Sequence, residues 1–109
     1  MKIIHYDKLV RDKIPQIIKA QGKKAVVRIL RKDEFKIYLE RKLDEEVKEY
    51  HESKDVEELA DILEVIIALA ESKGCSFVDL MDMRTKKAVK KGGFSKRVLL
   101  LEVHENEEV

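Results

Sequence analysis

Residues 43–50 read LDEEVKEY and residues 57–61 read EELAD. Both stretches have helical periodicity, and both put carboxylates on or beside a face that should be apolar. The first belongs to a helix over about Glu34–Ser53, with Asp33 as its expected N-cap. Its apolar stripe is Phe35, Leu39, Leu43, Val47 and Tyr50, at spacings of four, four, four and three, which is one face of a helix. With Leu43 as zero and about 100° per residue, Phe35 lies at about −80° and Val47 at about +40°. Glu46 falls at about −60°, inside that arc, Glu49 at about −120°, on its edge, and Glu45 points roughly away. In the following helix Glu58 and Asp61 flank Val65 on one face, and Glu64 extends that face.

Working outward, Asp55 caps this third helix, with Glu58 three residues on as in a capping box. The helix runs to about Lys73 and stops at Gly74. Ser76 caps a fourth, with Asp79 at its third position, ending at Gly92-Gly93. A short first helix starts around Asp12–Pro15 and runs to Gln21, before Gly22. Two apolar runs, Ala25–Leu30 (AVVRIL) and Arg97–Val103 (RVLLLEV), predict strands that could pair. The acidic end, residues 104–109, is expected to fray. Ile62–Ala70 (ILEVIIALA) holds one charged residue in nine. A helix apolar all round is buried all round, and a few short helices cannot surround it. It therefore predicts packing on its own copy in a homodimer or homotetramer. The expected fold is a single domain over residues 1–109: an all-α, oligomeric four-helix-type bundle with a small β appendage.

Composition narrows the function. Apolar residues make up 44% of the 109 and charged residues 41%, too apolar for a disordered chain and rich in charge for a globule. The net charge of +1 argues against a nucleic-acid binder, and no aromatic-basic motif contradicts that. The single cysteine, Cys75, rules out an intrachain disulfide. No signal-type segment opens the sequence, and no apolar run reaches the ~18 residues of a membrane span. The expected location is cytoplasmic, with no membrane partner.

Any one of these acids is explained by an exposed i,i+4 pair, such as Lys42 with Glu46, or, for Glu58, by capping. The set is not. Carboxylates from consecutive helices that border one apolar surface repel at close range, and their pKa values rise. An all-oxygen donor set suits Mg²⁺, Mn²⁺ or Ca²⁺ rather than zinc. Mg²⁺ commonly shares itself with substrate phosphates. The bases are segregated to match: Lys8, Arg11 and Lys13 near the start, and Arg84, Lys87 and Lys91 on one face of the fourth helix. Acids holding metal beside such bases suit a metal–polyphosphate complex.

These blocks resemble the MazG-like nucleotide pyrophosphohydrolases of the all-α NTP pyrophosphatase superfamily, in the short branch with a YNKLVRDKIP-type N-terminal segment. Here that segment is YDKLVRDKIP, Tyr6–Pro15. The E-x-x-E then E-x-x-D signature is met by Glu46, Glu49, Glu58 and Asp61, with Glu45 as the doubled acid before it. Arg84-x-x-Lys87 and Gly92-Gly93-Phe94 also look like the branch. Asp7 stands where the branch commonly has Asn, and the close spacing of the acid pairs demands a tight turn between their helices. The resemblance implies Mg²⁺-dependent hydrolysis (Mn²⁺ in its place) of a nucleoside triphosphate between the α and β phosphates. Glu46, Glu49, Glu58 and Asp61 would be the metal ligands. Lys8, Arg11, Arg84 and Lys87 would hold the phosphate tail. From the helical wheel, Glu45 or Glu64 would hold or deprotonate the attacking water. The alternatives are a phosphoribosyl-ATP pyrophosphohydrolase on the same scaffold and a non-catalytic helical assembly.

Overall fold

The structure, a computed structural model, describes residues 2–106. Four helices follow one another: α1 (Ile14–Ala20), α2 (Lys32–Ser53), α3 (Val56–Ser72) and α4 (Phe77–Lys91). α2 and α3 fold back on each other and hold most of the packing, α4 touches α3 alone, and α1 has no helix neighbour. No helix among the described residues is long and apolar enough to cross a membrane.

Local chemistry sets the helix ends. The Asp55 carboxylate accepts the Glu57 N–H at 3.1 Å, and Ser76 Oγ accepts that of Asp79 at 3.1 Å, both at the expected caps. Asp33 is not a cap. α2 begins two residues earlier, with Arg31 extended at the N-cap and its N–H donating to Glu34 at 3.2 Å. Asp33 lies in the first turn, where a negative charge suits the helix dipole. α3 and α4 stop at Gly74 and Gly92, whose φ values of +81° and +84° would strain any other residue. Only Lys54 and Asp55 separate α2 from α3, with Lys54 left-handed at φ 58°. This is the tight turn that the spacing of the acids demands.

Among the described residues the buried apolar ones are Leu39, 2% exposed, and Val65. Phe35, Leu43, Val47 and Tyr50 are half-buried on the Leu39 stripe, so the predicted face of α2 is the one that packs. Leu39→Ala is expected to cost about 2–5 kcal/mol, read as a lower urea midpoint at unchanged m-value. A loss below ~1 kcal/mol would mean that this contact is not the centre of the core.

That core is small for the chain. The accessible surface is 10596 Å², against about 6,200 Å² for a compact protein of this mass. The radius of gyration is 20.0 Å, against about 13 Å for a compact chain of this length. The helix expected to be buried all round is covered on one side: Val65 is buried, while Leu63 and Ile66 are exposed. Val56, Leu59, Leu63 and Ile66, at spacings of three, four and three, form an uncovered stripe on the far side of α3 from Val65.

The β appendage does not form: among the described residues there is no strand. Residues 25–30 are tied to the start of α2 by Arg28, whose guanidinium donates to both Glu34 oxygens at 3.0 and 3.1 Å. Val98–Leu101 is exposed. A β-branched run becomes a strand only where a neighbour completes its hydrogen bonds, and a lone two-stranded ribbon is marginal in water. Residues 107–109 of the tail expected to fray lie outside the described residues.

Candidate metal centre

The two-residue turn lays the second half of α2 against the first half of α3, so the two signature blocks meet. One oxygen each from Glu45, Glu46 and Glu49 lie within 4.8 Å of one another, and so do one each from Glu46, Glu58 and Asp61. Glu46 belongs to both groups and is 7% exposed. Its Oε1 forms an ion pair with Lys42 Nζ at 3.2 Å, while Oε2 is buried with no hydrogen-bond partner among the described residues. A buried carboxylate oxygen left unpaired is costly, and such an atom calls for an ion or a water.

Three cations reach the acids. Lys42 bridges Glu45 and Glu46 at 3.2 Å each, Lys8 Nζ lies 3.3 Å from Glu45, and Arg11 Nη2 lies 2.7 Å from Asp61 Oδ1. Five carboxylates thus face three positive side chains, and two negative charges remain uncompensated. That remainder is the charge of one divalent cation. Oxygen-only donors fit Mg²⁺ or Mn²⁺.

Several expectations change here. Glu45, placed by the helical wheel pointing away, is half-buried and inside the cluster. Glu58 is not a capping-box residue, because Ser53 Oγ already accepts the Asp55 N–H at 3.1 Å and leaves the Glu58 carboxylate to the cluster. Lys42 does pair with Glu46, but as a largely covered bridge between two acids rather than an exposed pair. Its i+3 and i+4 spacing was the signal. Glu64 is exposed and belongs to neither group. Arg84 and Lys87 are exposed on α4, a helix that touches α3 and not α2. Asp7 has φ 47°, a backbone state that Asn and Asp tolerate better than other side chains. Position 7 thus bends the chain just before Lys8, a conformational role that Asp shares with Asn.

Two surface concavities lie elsewhere. One is lined by Pro15, Lys19 and Lys23, the other by Phe35, Ala68 and Ser72, and neither includes a cluster acid. The chemistry is in the acids, which sit on a half-open face.

The electrostatics carry the strain of crowding. Partial burial, and then the carboxylates of Glu46, Glu58 and Glu45, push the pKa of Glu49 up. Burial and the charges of Asp61 and Glu46 do the same to Glu58. For Glu45 burial opposes ionisation, but hydrogen bonds from Lys42 and Lys8 outweigh it and hold its pKa low. The hydrogen bond from Arg28 holds Glu34 low. The signs oppose. Ionising Glu49 and Glu58 destabilises the fold, a penalty relieved as pH falls towards the usual carboxylate range; the ion pairs of Glu45 and Glu34 are lost only below that range. The metal-free melting temperature is therefore expected to rise on acidification from neutral pH, pass a maximum just above the usual glutamate range, then fall. A monotonic fall from neutral pH in a thermal-melt series would contradict the crowding.

No family model matches the chain, and no solved structure matches it. Over 41 residues, 38% of this chain and 42% of the other, it is 54% identical to an uncharacterized protein of Mycolicibacterium smegmatis. The match thus spans less than half the length of that relative.

Proposed function

We propose that the chain is an Mg²⁺-dependent nucleoside triphosphate pyrophosphohydrolase of the MazG-like kind, acting in the cytoplasm as a homo-oligomer and releasing a nucleoside monophosphate and pyrophosphate. The observation that carries the reading is Glu46, buried, half unpaired, and common to two groups of converging carboxylates. Glu46, Glu49, Glu58 and Asp61 would hold Mg²⁺, or Mn²⁺ in its place. The ion's contribution is Lewis-acid polarisation of the phosphoryl oxygens and neutralisation of the leaving group.

The chain's own residues supply the remainder. Glu45, held ionised by Lys42 and Lys8, is the base favoured to orient the attacking water; Glu64 is the second candidate, from its position on α3. Lys8 and Arg11, which lie beside the acids, would take the phosphate tail. Arg84 and Lys87 would join them in the assembled protein. Self-association is supported by the uncovered stripe Val56–Leu59–Leu63–Ile66 and by the excess surface of the single chain.

The test is pyrophosphate release from a panel of NTPs and dNTPs, standard and non-standard, with and without Mg²⁺. Mg²⁺-dependent release is the expected result. Turnover of phosphoribosyl-ATP without turnover of NTPs would select that related hydrolase instead. Self-association with no binding of nucleotide or metal would select a non-catalytic assembly.

A further inference from the structure

The N-terminal segment, residues 2–13, has no regular secondary structure beyond a turn at its end. Among the described residues, two ion pairs tie it to the α2–α3 hairpin: Lys8 to Glu45 at 3.3 Å and Arg11 to Asp61 at 2.7 Å. Both partners belong to the acid cluster. Arg11 and a cation held by Glu46, Glu58 and Asp61 therefore meet at one shared carboxylate, that of Asp61.

From this competition we infer that the segment is an ionic latch that a divalent cation opens. Charge counting gives the order of events. With Lys8, Arg11 and Lys42 in place, one divalent ion neutralises the five acids. A second ion, in the other carboxylate group that shares Glu46, is balanced only when Lys8 and Arg11 leave. The departing cations are then free to meet an anionic ligand. Metal loading and release of the N-terminal segment are thus one event, and the latch stops the acids from repelling one another when no metal is present. The left-handed backbone at Asp7 turns the chain so that Lys8 reaches Glu45, and Leu9, between the two cations, is only half-covered. The tether is electrostatic rather than apolar, so ions can undo it. This inference rests on the acid cluster being a cation site.

The test is calorimetric titration of the 109-residue chain with Mn²⁺, alone and as R11Q and K13Q. A second readout is the anisotropy of a dye on I3C in a C75S background. Removing the competitor is expected to tighten the second of the two Mn²⁺ binding steps by about threefold in R11Q, the scale of one exposed ion pair. Lys13 makes no ion pair with a described residue, so K13Q controls for the general field and is expected to change little. Dye anisotropy is expected to fall as Mn²⁺ saturates. If R11Q binds Mn²⁺ no more tightly than the unaltered chain, if K13Q tightens it equally, or if anisotropy does not fall, the latch is wrong and the metal site stands. If neither the unaltered chain nor R11Q binds Mn²⁺, the site itself is wrong and the latch falls with it.

Discussion

Glu49→Gln is expected to lose pyrophosphate release by about a hundredfold or more, while the variant melts at a higher temperature than the unaltered chain in the absence of metal. The two effects share one cause. Neighbouring carboxylates and partial burial raise the pKa of Glu49, so its ionised form is penalised in the folded state. An amide of the same shape removes that penalty and removes a metal ligand with it. Outer-shell partners of metal sites typically cost about 10–100-fold when lost, and a direct ligand should exceed that. The Mg²⁺-induced rise in melting temperature should shrink in parallel. Asp61→Asn should lose activity to the same degree without the gain in stability, because Asp61 also holds Arg11 at 2.7 Å. If both variants turn over NTPs like the unaltered chain, Mg²⁺-dependent hydrolysis at this cluster is excluded.

Leu63→Lys is expected to dissociate the assembly. Leu63 sits mid-stripe between Leu59 and Ile66 on the uncovered side of α3 and is exposed in the single chain. In a two-fold interface one substitution acts twice, once from each copy. Loss of about 1.5 kcal/mol or more of apolar burial per copy predicts a hundredfold or greater weakening of self-association. Sedimentation velocity across a concentration series reads it. Because Leu63 lies opposite Val65, the α2–α3 packing should survive, and far-UV helicity should be unchanged. A variant that assembles like the unaltered chain would move the interface elsewhere.

The parts legible in the sequence were those governed by helical period and local capping. The stripe Phe35–Leu39–Leu43–Val47–Tyr50 packs as its spacing requires, and Asp55 and Ser76 cap as their chemistry requires. That Glu46 meets Glu49 in one group and Glu58 and Asp61 in another followed from two faces and a short turn. Whatever depended on competition between partners was not legible. Glu58 escapes capping because a serine two residues before Asp55 takes the N–H first. Glu45 enters the cluster because Lys42 and Lys8 draw it in, against its angle on an ideal wheel. AVVRIL and RVLLLEV have strand composition, but strands need partners, and pairing across a chain is not written in a single segment. The approach of Arg11 to Asp61 spans fifty residues and has no local signature.

The most direct measurement is an anomalous difference map from crystals of the protein soaked in Mn²⁺. Convergence of these carboxylates on a cation predicts a peak bound by Glu46, Glu58 and Asp61, with a second ion expected on Glu45, Glu46 and Glu49 at saturation. A map with no peak between α2 and α3, and with Glu46 Oε2 paired to a protein donor instead, would contradict it.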